Sequence, residues 1–413
     1  MSMPRPPLLT FRFLALCLFT LLAYCNISVF YSLYLHLETL GVAQAQRGSI
    51  IGASSLATIL CFLFASPWLT ARNAPLWIFA GIAVLLGCGG GYLLARDPAQ
   101  LLALRLLNGA GVYLLSAPAM TLLVAHIAPE RSGQAFGLYS VSALLPYSII
   151  PALFDRLNPL LPSPAWGYAL MSLALVPAAV INLVLLRQGP QEHASHALAA
   201  PTGKIRLAAT LRTTWENLRR ARTSLLLAIN AVYYLNFAAL FFLSKSLFES
   251  RGLGGVGLFF SIQTALMIVI RLTAARLFDV VDRLRLIVWC YALTALGFAL
   301  LWATHGLALE VCAALVLGLG MGVGPPSLNG LMYAISEPKL RGVNSNLMTM
   351  ALQSGSFLGP ILGGLAVGAI GYAGFLGVGI AANLGGMALC GVFRRRGWHR
   401  AHEDAPVEGS QRS

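Results

Sequence analysis

Several side chains that can bind ligands or carry charge lie inside stretches that are otherwise apolar. Arg105 and Asn108 fall within the apolar stretch 101–127, and the stretch 11–37 contains tyrosines, an asparagine and a histidine. A charge at depth in an apolar helix costs free energy unless it finds a partner, so Arg105 is a candidate for substrate binding or charge transfer. The alternatives are a structural arginine that snorkels to the membrane edge, and polar groups that pack between helices.

Acidic residues lie in loops or near the ends of the apolar stretches. Glu38, Asp155, Glu249 and Glu310 cluster toward one side, and none occupies the depth at which a membrane proton carrier is usually found. The sequence contains no zinc-protease, serine-hydrolase or P-loop motif. It therefore predicts no catalytic residues, no metal and no bound cofactor, and a membrane enzyme or sensor is a distant alternative.

Composition indicates an integral membrane protein. Of 413 residues, 58% are hydrophobic and 10% are charged, and the mean hydropathy is +0.76. Soluble domains have about a quarter of their residues charged. Apolar runs of roughly 20 residues have the length of a membrane-spanning helix rather than that of a barrel strand. The predicted fold class is all-α, with twelve transmembrane helices in two six-helix bundles related by an internal repeat.

One polar segment divides the twelve apolar spans into two sets of six. We expect an amino-terminal bundle over 1–186, a basic cytoplasmic linker over 187–222, a carboxyl-terminal bundle over 223–397 and a cytoplasmic tail over 398–413. In the linker, Leu211, Trp215 and Leu218 recur at helical spacing among arginines, which is typical of an amphipathic helix on an anionic membrane surface. His193 and His196 lack the partners of a metal site.

The basic residues are distributed unequally between the two sides of the predicted bundles. Of the 28 lysines and arginines, 21 lie on the side of the termini and linker, 5 lie on the other side, and Arg105 and Arg271 lie inside spans. Such an excess marks the cytoplasmic side. The net charge of +14 therefore indicates topology rather than nucleic-acid binding. We expect a multi-pass protein of the plasma (inner) membrane with both termini in the cytoplasm.

The second half of the chain repeats the first. A shift of 209 residues superimposes features over three spans without gaps, pairing Thr70 with Asp279, Gly109 with Gly318, Gly111 with Gly320, Gly133 with Gly342, and Pro151 with Pro360. A shared offset at separated sites indicates duplication of a six-helix unit, and parallel repeats of this kind are a transporter architecture whose binding site lies between the halves near the bilayer midplane.

Three motifs resemble those of the major facilitator superfamily. Residues 355–364, in span eleven, reproduce the pattern GxxxGPxxGG, which the family's drug exporters carry in span five. Residues 275–285, with Asp279 and Arg283, are similar to the family's inner-loop signature, whose first-half copy here has Thr70 in place of the acid. Residues 105–111 look like the span-four motif RxxQG, whose arginine is linked to proton coupling in the family.

The resemblance implies roles for individual residues. Spans one, four, seven and ten line the substrate cavity in the family, and this nominates Tyr24, Asn26, Tyr31, Arg105, Asn108, Tyr233, Tyr234, Asn236, Asn329 and Tyr333. The residues implied in coupling or gating are Arg105, Glu38, Asp279, Arg283, Pro146, Pro151, Gly355, Gly359, Pro360, Gly363 and Gly364. Two prolines in span five and the glycines of span eleven permit helix bending and close helix contact.

The resemblance favours a proton-driven exporter of the drug-exporter-like branch. Its substrate would be a drug, sugar, metabolite or siderophore-like chelator, its energy source the proton gradient, and its functional unit a monomer. The alternative is a proton-coupled symporter that imports an anionic nutrient. For Arg105, the alternative to a role in proton antiport is that it binds an anionic substrate and that coupling uses another ion or none. Beyond substrate, protons and the lipid bilayer, the sequence predicts no partner.

Overall fold

The computed structural model describes residues 9–126, 132–188, 204–253, 255–273, 281–304, 306–337 and 340–399. Within these ranges the chain is helical and contains no strand. Eleven helices of the described residues are long and apolar enough to cross a membrane. They are Phe11–Thr39, Gln44–Phe64, Ala74–Leu94, Pro98–His126, Ser132–Leu157, Pro164–Arg187, Ala221–Ser250, Val256–Thr273, Arg283–Trp302, Leu307–Ile335 and Arg341–Arg395.

The last of these helices, Arg341–Arg395, supplies two spans. Its 55 residues exceed the roughly 20 that cross a bilayer. Gly371 interrupts it with φ of +75°, a conformation that glycine adopts at no steric cost. The chain reverses there, so the eleven helices make twelve spans, numbered here one to twelve in chain order. The predicted all-α fold with two six-helix bundles is confirmed, whereas the residue bounds of the domains stay a prediction.

Span one is interrupted, and an additional helix precedes span seven. Span one contains a 3-10 segment, Val29–Ser32, between two α-helical pieces. This segment packs against span seven and brings Tyr31 to the boundary between the bundles. Before span seven, a helix over Lys204–Leu218, the linker helix, carries the exposed Trp215.

The molecule has two ends with different packing, which we call the linker side, where the linker helix joins the bundles, and the far side, opposite it. Buried apolar residues of the described chain form two clusters. The larger one unites the far-side half of the amino-terminal bundle with the carboxyl-terminal bundle, and includes Leu33, Phe154, Phe241, Phe259 and Phe375. The smaller one belongs to the linker-side half of the amino-terminal bundle alone, and includes Phe13, Leu16, Ile78, Leu123 and Leu175.

Two of the helix pairs through which the bundles meet are related by the sequence repeat. A Cβ atom at Gly48, near the start of span two, would overlap the backbone of Pro360 and Ile361 in span eleven. A Cβ atom at Gly257, near the start of span eight, would overlap the backbone of Ala152 in span five. The offset of 209 residues relates Gly48 to Gly257 and Ala152 to Ile361. Both contacts lie on the far side, where glycine lets the backbones touch.

The same offset relates contacts inside each half. Gly109 of span four lies against the backbone of Ser54 in span two, and Gly318 of span ten lies against the backbone of Gln263 in span eight. Ser54 and Gln263 are 209 residues apart, as are the two glycines. The internal repeat is therefore a repeat of helix packing as well as of residue types.

Candidate functional site

A polar group on the far side joins the two bundles across their boundary. The carboxylate of Asp155, at the end of span five, accepts a hydrogen bond from the Tyr31 hydroxyl at 3.0 Å and one from the backbone N–H of Gly257 at 2.6 Å. The Lys245 ammonium of span seven lies 3.0 Å from the same carboxylate and 3.2 Å from Glu249. We call Tyr31, Asp155, Lys245 and Gly257 the far-side latch.

Span eleven lies between span two of one bundle and span seven of the other. Gly355 and Gly359 face span seven, because Cβ atoms there would overlap the carbonyl oxygens of Ala231 and Leu235. Pro360 faces span two, as described above. Gly363 and Gly364 continue the contact, the first toward Leu243 of span seven, the second toward Tyr34 and Gly48. The motif therefore supplies close packing both within the carboxyl-terminal bundle and between the bundles.

Pro146 and Pro151 lie inside the helix Ser132–Leu157, and both are buried. Between them, the carbonyl oxygen of Ser148 accepts a hydrogen bond from the Ser261 hydroxyl of span eight at 3.0 Å. A proline within a helix leaves a carbonyl of the preceding turn without its usual donor. The role of these prolines as a hinge stays a prediction.

Aromatic side chains converge between the bundles just below the latch. The rings of Tyr24 in span one and Tyr147 in span five have centroids 6.4 Å apart. Tyr147 lies 5.9 Å from Phe237 of span seven, and Phe237 lies 6.3 Å from Tyr234. We call Tyr24, Tyr147, Tyr234 and Phe237 the central aromatic group. Beside it, a cavity is lined by Leu144, Tyr147, Phe237, Leu240, Phe241, Phe260, Gln263, Thr264 and Met267.

One cation lies next to this group. Arg271 follows Met267 by one helical turn in span eight, on the same face as Met267. Met267 lines the cavity, so this position places Arg271 beside it. The Nε atom is buried without a hydrogen-bond partner, and among the described residues the guanidinium has no acidic partner. The arrangement combines aromatic faces, two hydroxyls and a positive charge.

Arg105 occupies a different place, inside the amino-terminal bundle. It is 4% exposed, and its guanidinium lies 4.7 Å from the centroid of the Phe30 ring. Nη2 donates to the Ile51 carbonyl at 3.1 Å and Nη1 donates to Asn108 Oδ1 at 3.3 Å. Asn26 is also buried within this bundle, where it donates to Ser172 Oγ at 2.9 Å.

The remaining predicted cavity residues are divided between the interior of the carboxyl-terminal bundle and its linker side. Tyr233 is buried and donates its hydroxyl to the Met321 carbonyl at 2.8 Å, and Asn236 is buried in the same helix. Asn329 is exposed in the linker-side half of span ten. Tyr333, 58% exposed, lies one turn further on, with the guanidinium of Arg341 4.0 Å above its ring.

The predicted gating charges are not adjacent to one another. Glu38 pairs with Arg47 at 3.3 Å across the far-side turn between spans one and two. Arg283 begins span nine on the linker side and packs beside Gly330 of span ten. Asp279 lies outside the described residues, as do His193 and His196. Of the predicted cavity set, the structure brings Tyr24 and Tyr234 to the central aromatic group and Tyr31 to the far-side latch.

The sequence patterns did not single out Tyr147, Phe237 or Lys245, and of Arg271 they indicated only that it lies inside a span. A signal for Arg271 was present, because an arginine within an apolar helix requires an explanation. Tyr147 and Phe237 carry no such signal, because aromatic residues are common throughout the chain. Only the packing of spans one, five and seven brings these rings together.

Comparison with known structures agrees with this architecture. The chain is similar to a mutant of the nucleoside transporter NupG, with a TM-score of 0.72, 15% identity, and 93% of this chain and 99% of that chain covered. It is similar to the human organic anion transporter MFSD10 (TETRAN), with a TM-score of 0.64, 16% identity, and 94% and 100% covered. At such identities the likeness shows the fold.

A third similar structure is a bacterial homolog of the human lysosomal transporter Spinster in an inward-facing, occupied conformation. Its TM-score is 0.67 at 14% identity, with 95% of this chain and 98% of that chain covered. No curated protein matches the sequence. The model of the Major Facilitator Superfamily matches residues 16–279 and 225–412, which together span most of the chain. With its twelve spans and repeated halves, this protein belongs to the major facilitator superfamily and is a multi-pass membrane transporter.

Proposed function

We propose that the protein is a secondary transporter of the drug-exporter-like branch that exports a small organic molecule by alternating access in exchange for protons. It acts as a monomer in the inner membrane, with both termini and the linker in the cytoplasm. The substrate is a drug, sugar, metabolite or chelator of siderophore type. The excess of lysine and arginine on the linker side supports this orientation.

The observation that carries the proposal is the unequal packing of the two ends. On the far side the halves share one apolar cluster and the far-side latch, whereas the linker-side half of the amino-terminal bundle has a cluster of its own. Two bundles that are joined at one end and packed separately at the other are suited to rocking about a central site. With the linker side in the cytoplasm, this arrangement corresponds to an inward-facing state that is closed toward the outside.

Asp155 is the acid best placed to couple this motion to protons. Its carboxylate holds groups of both bundles, and Lys245 and Glu249 are the charged groups beside it. Protonation removes the negative charge that pairs with Lys245, so the latch weakens. A proton from the outer side would then favour opening toward that side, which is the state from which an exporter releases its substrate.

A second candidate function is a proton-coupled symporter that imports an anionic nutrient. The observation that favours it is Arg271, a cation one helical turn from Met267, which lines a cavity together with Tyr147 and Phe237 of the central aromatic group. A symporter and an antiporter differ in the direction of proton movement relative to substrate, and not in the residues that bind it. The distinction therefore requires a flux measurement.

The test is the internal pH of proteoliposomes that contain the purified protein, recorded while amphipathic drugs, sugars, organic acids and chelators are added outside. Antiport predicts internal alkalinisation, because protons leave the vesicle as substrate enters. Symport predicts internal acidification, because protons enter together with substrate. Asp155→Asn should abolish the proton signal while substrate exchange continues. Glu249→Gln is the matched control and should retain it. Substrate movement without any proton movement would contradict the coupling proposal, and no movement of any compound would contradict the transport assignment.

A further inference from the structure

The position of Arg271 in span eight suits a residue that binds a ligand rather than one that packs between helices. The cavity-lining residues Phe260, Thr264 and Met267 recur at spacings of four and three along span eight, and Arg271 extends this row by four. It therefore lies on the face that span eight presents to spans five and seven. At 1.5 Å per residue, Arg271 is roughly 22 Å from the far-side start of its helix, well inside the membrane thickness.

Among the described residues, no acidic side chain lies close enough to neutralise Arg271. Two other shielded cations have partners: Lys245 pairs with Asp155 and Glu249, and Arg105 stacks on Phe30 and donates to a carbonyl. Within the described residues, Arg271 has neither a hydrogen bond nor an ion pair, and its side chain is partly accessible. An intramembrane arginine with this environment indicates a site whose counter-charge comes from outside the chain.

The neighbours of Arg271 define the rest of such a ligand. Tyr24 comes from one bundle and Tyr234 from the other. Tyr147 and Phe237 link these two tyrosines through ring contacts of 5.9 to 6.4 Å. A flat apolar body fits between aromatic faces, and an acidic oxygen accepts hydrogen bonds from both a guanidinium and a phenol.

We propose that the central site binds an organic anion with an aromatic ring, its acidic group on Arg271 and its ring within the central aromatic group. This inference rests on the proposed transport function and names its substrate class. Because Tyr24 and Tyr234 belong to different bundles, such an anion contacts both halves at once. It would therefore bind differently when the halves rock, as a transported substrate must.

The first experiment measures equilibrium binding to the purified full-length protein in detergent. The probes are naphthalene-2-sulfonate and naphthalene-2-sulfonamide, which share a ring and a shape but carry a charge of minus one and zero. Benzene and anthracene sulfonates serve as smaller and larger rings. We expect at least one sulfonate to bind saturably and roughly tenfold or more tighter than its neutral partner, as a charge-assisted hydrogen bond provides.

Substitutions test whether Arg271 is the residue that makes the protein bind the sulfonate more tightly than the sulfonamide. Arg271→Gln should remove the difference between sulfonate and sulfonamide, and Arg271→Lys should restore part of it. Arg285→Gln is the matched control, since Arg285 is an exposed arginine at the start of span nine and its loss should leave both affinities unchanged. Gel filtration and thermal unfolding of ligand-free Arg271→Gln establish that it is folded.

Three results would overturn the inference. They are the absence of saturable binding of every sulfonate, equal affinity for the charged and neutral probes, and unchanged sulfonate affinity in folded Arg271→Gln. Uptake of the binding sulfonate into proteoliposomes separates this inference from the transport proposal. Binding through Arg271 without uptake would support the site and contradict transport, whereas transport of neutral compounds that is independent of Arg271 would contradict the anion site alone.

Discussion

The ammonium of Lys245 in span seven lies 3.0 Å from the carboxylate of Asp155 in span five, and this ion pair crosses the boundary between the two bundles. Its side chains are 18% and 17% exposed, so the pair is more shielded from water than a surface salt bridge. Because Asp155 also accepts hydrogen bonds from Tyr31 and from Gly257, one carboxylate holds groups of three other spans. Its charge should therefore control how firmly the far side is closed.

We expect Lys245→Ala to open the far side more often. Loss of one partner of a partly buried pair costs about 1 kcal/mol or somewhat more, between the values for surface and buried pairs, which is a shift of roughly fivefold or more in the equilibrium between closed and open. The measurement is the labelling rate of Ser261→Cys by a membrane-impermeant maleimide from the far side. Glu249→Ala removes only the exposed partner of Lys245 and should change the rate less. An unchanged rate in Lys245→Ala would show that the latch does not hold the bundles together.

Gly48 and Gly257 should be equivalent in function. Since a Cβ at either would overlap the backbone of the opposite bundle, Gly48→Val and Gly257→Val should prevent closure of the far side and lower transport strongly. Gly137→Val, at a helical glycine with no atom within 4 Å of its added Cβ, is the control. Transport and thermal unfolding are measured together. A loss of transport at one glycine but not at its repeat partner would contradict the equivalence.

Gly359→Val should act differently, by destabilising the carboxyl-terminal bundle. Its added side chain would meet the backbone of span seven within the same bundle, and overpacking of this kind costs roughly 1–3 kcal/mol. We therefore expect a lower temperature of thermal unfolding for Gly359→Val than for Gly48→Val, because the latter can relax by separation of the bundles. Equal unfolding temperatures would contradict the assignment of Gly359 to packing within one bundle.

Substitution of Arg105 should lower the stability of the protein, whereas substitution of Arg271 should not. Arg105→Ala removes a buried side chain with a ring contact and two hydrogen bonds, so we expect a loss of about 2–4 kcal/mol in stability and, as a consequence, lower transport. Arg271→Gln should leave thermal unfolding within about 0.5 kcal/mol of the native protein. Scanning calorimetry or nanoscale fluorimetry measures both. If Arg105→Ala unfolds at the temperature of the native protein but loses proton flux, the result would support the coupling role that the family resemblance implies for Arg105.

The linker helix should bind anionic membranes. Trp215 is 58% exposed, and the guanidinium of Arg219 lies 5.1 Å from its ring centroid. A peptide of residues 204–220 should gain helix signal in circular dichroism with vesicles rich in anionic lipid, and much less with zwitterionic vesicles. The same peptide with Trp215→Ala should need more lipid for the same signal. Equal binding to both vesicle types would contradict an electrostatic role for its arginines.

The sequence by itself determined the fold class, the number of spans, the polar linker and the repeat. These depend on local properties: the length of an apolar run, the spacing of glycine and proline, and the offset between two copies of one pattern. Tyr24 and Tyr234 were nominated through the family resemblance, which implies that spans one and seven line the substrate cavity. The repeat offset also relates two contacts that the structure shows, since Gly48 and Gly257 occupy equivalent positions.

Tertiary structure alone decided which of the nominated residues meet. Arg105 and Arg271 are both arginines within apolar helices, and nothing in their sequence surroundings states that one has partners inside a bundle and the other lies beside the central aromatic group. Likewise, Asp155 and Lys245 are 90 residues apart and become an ion pair only because spans five and seven approach at the far side. Helix faces are set by local periodicity, but the pairing of faces depends on how twelve helices pack at once, which no single stretch of the chain encodes.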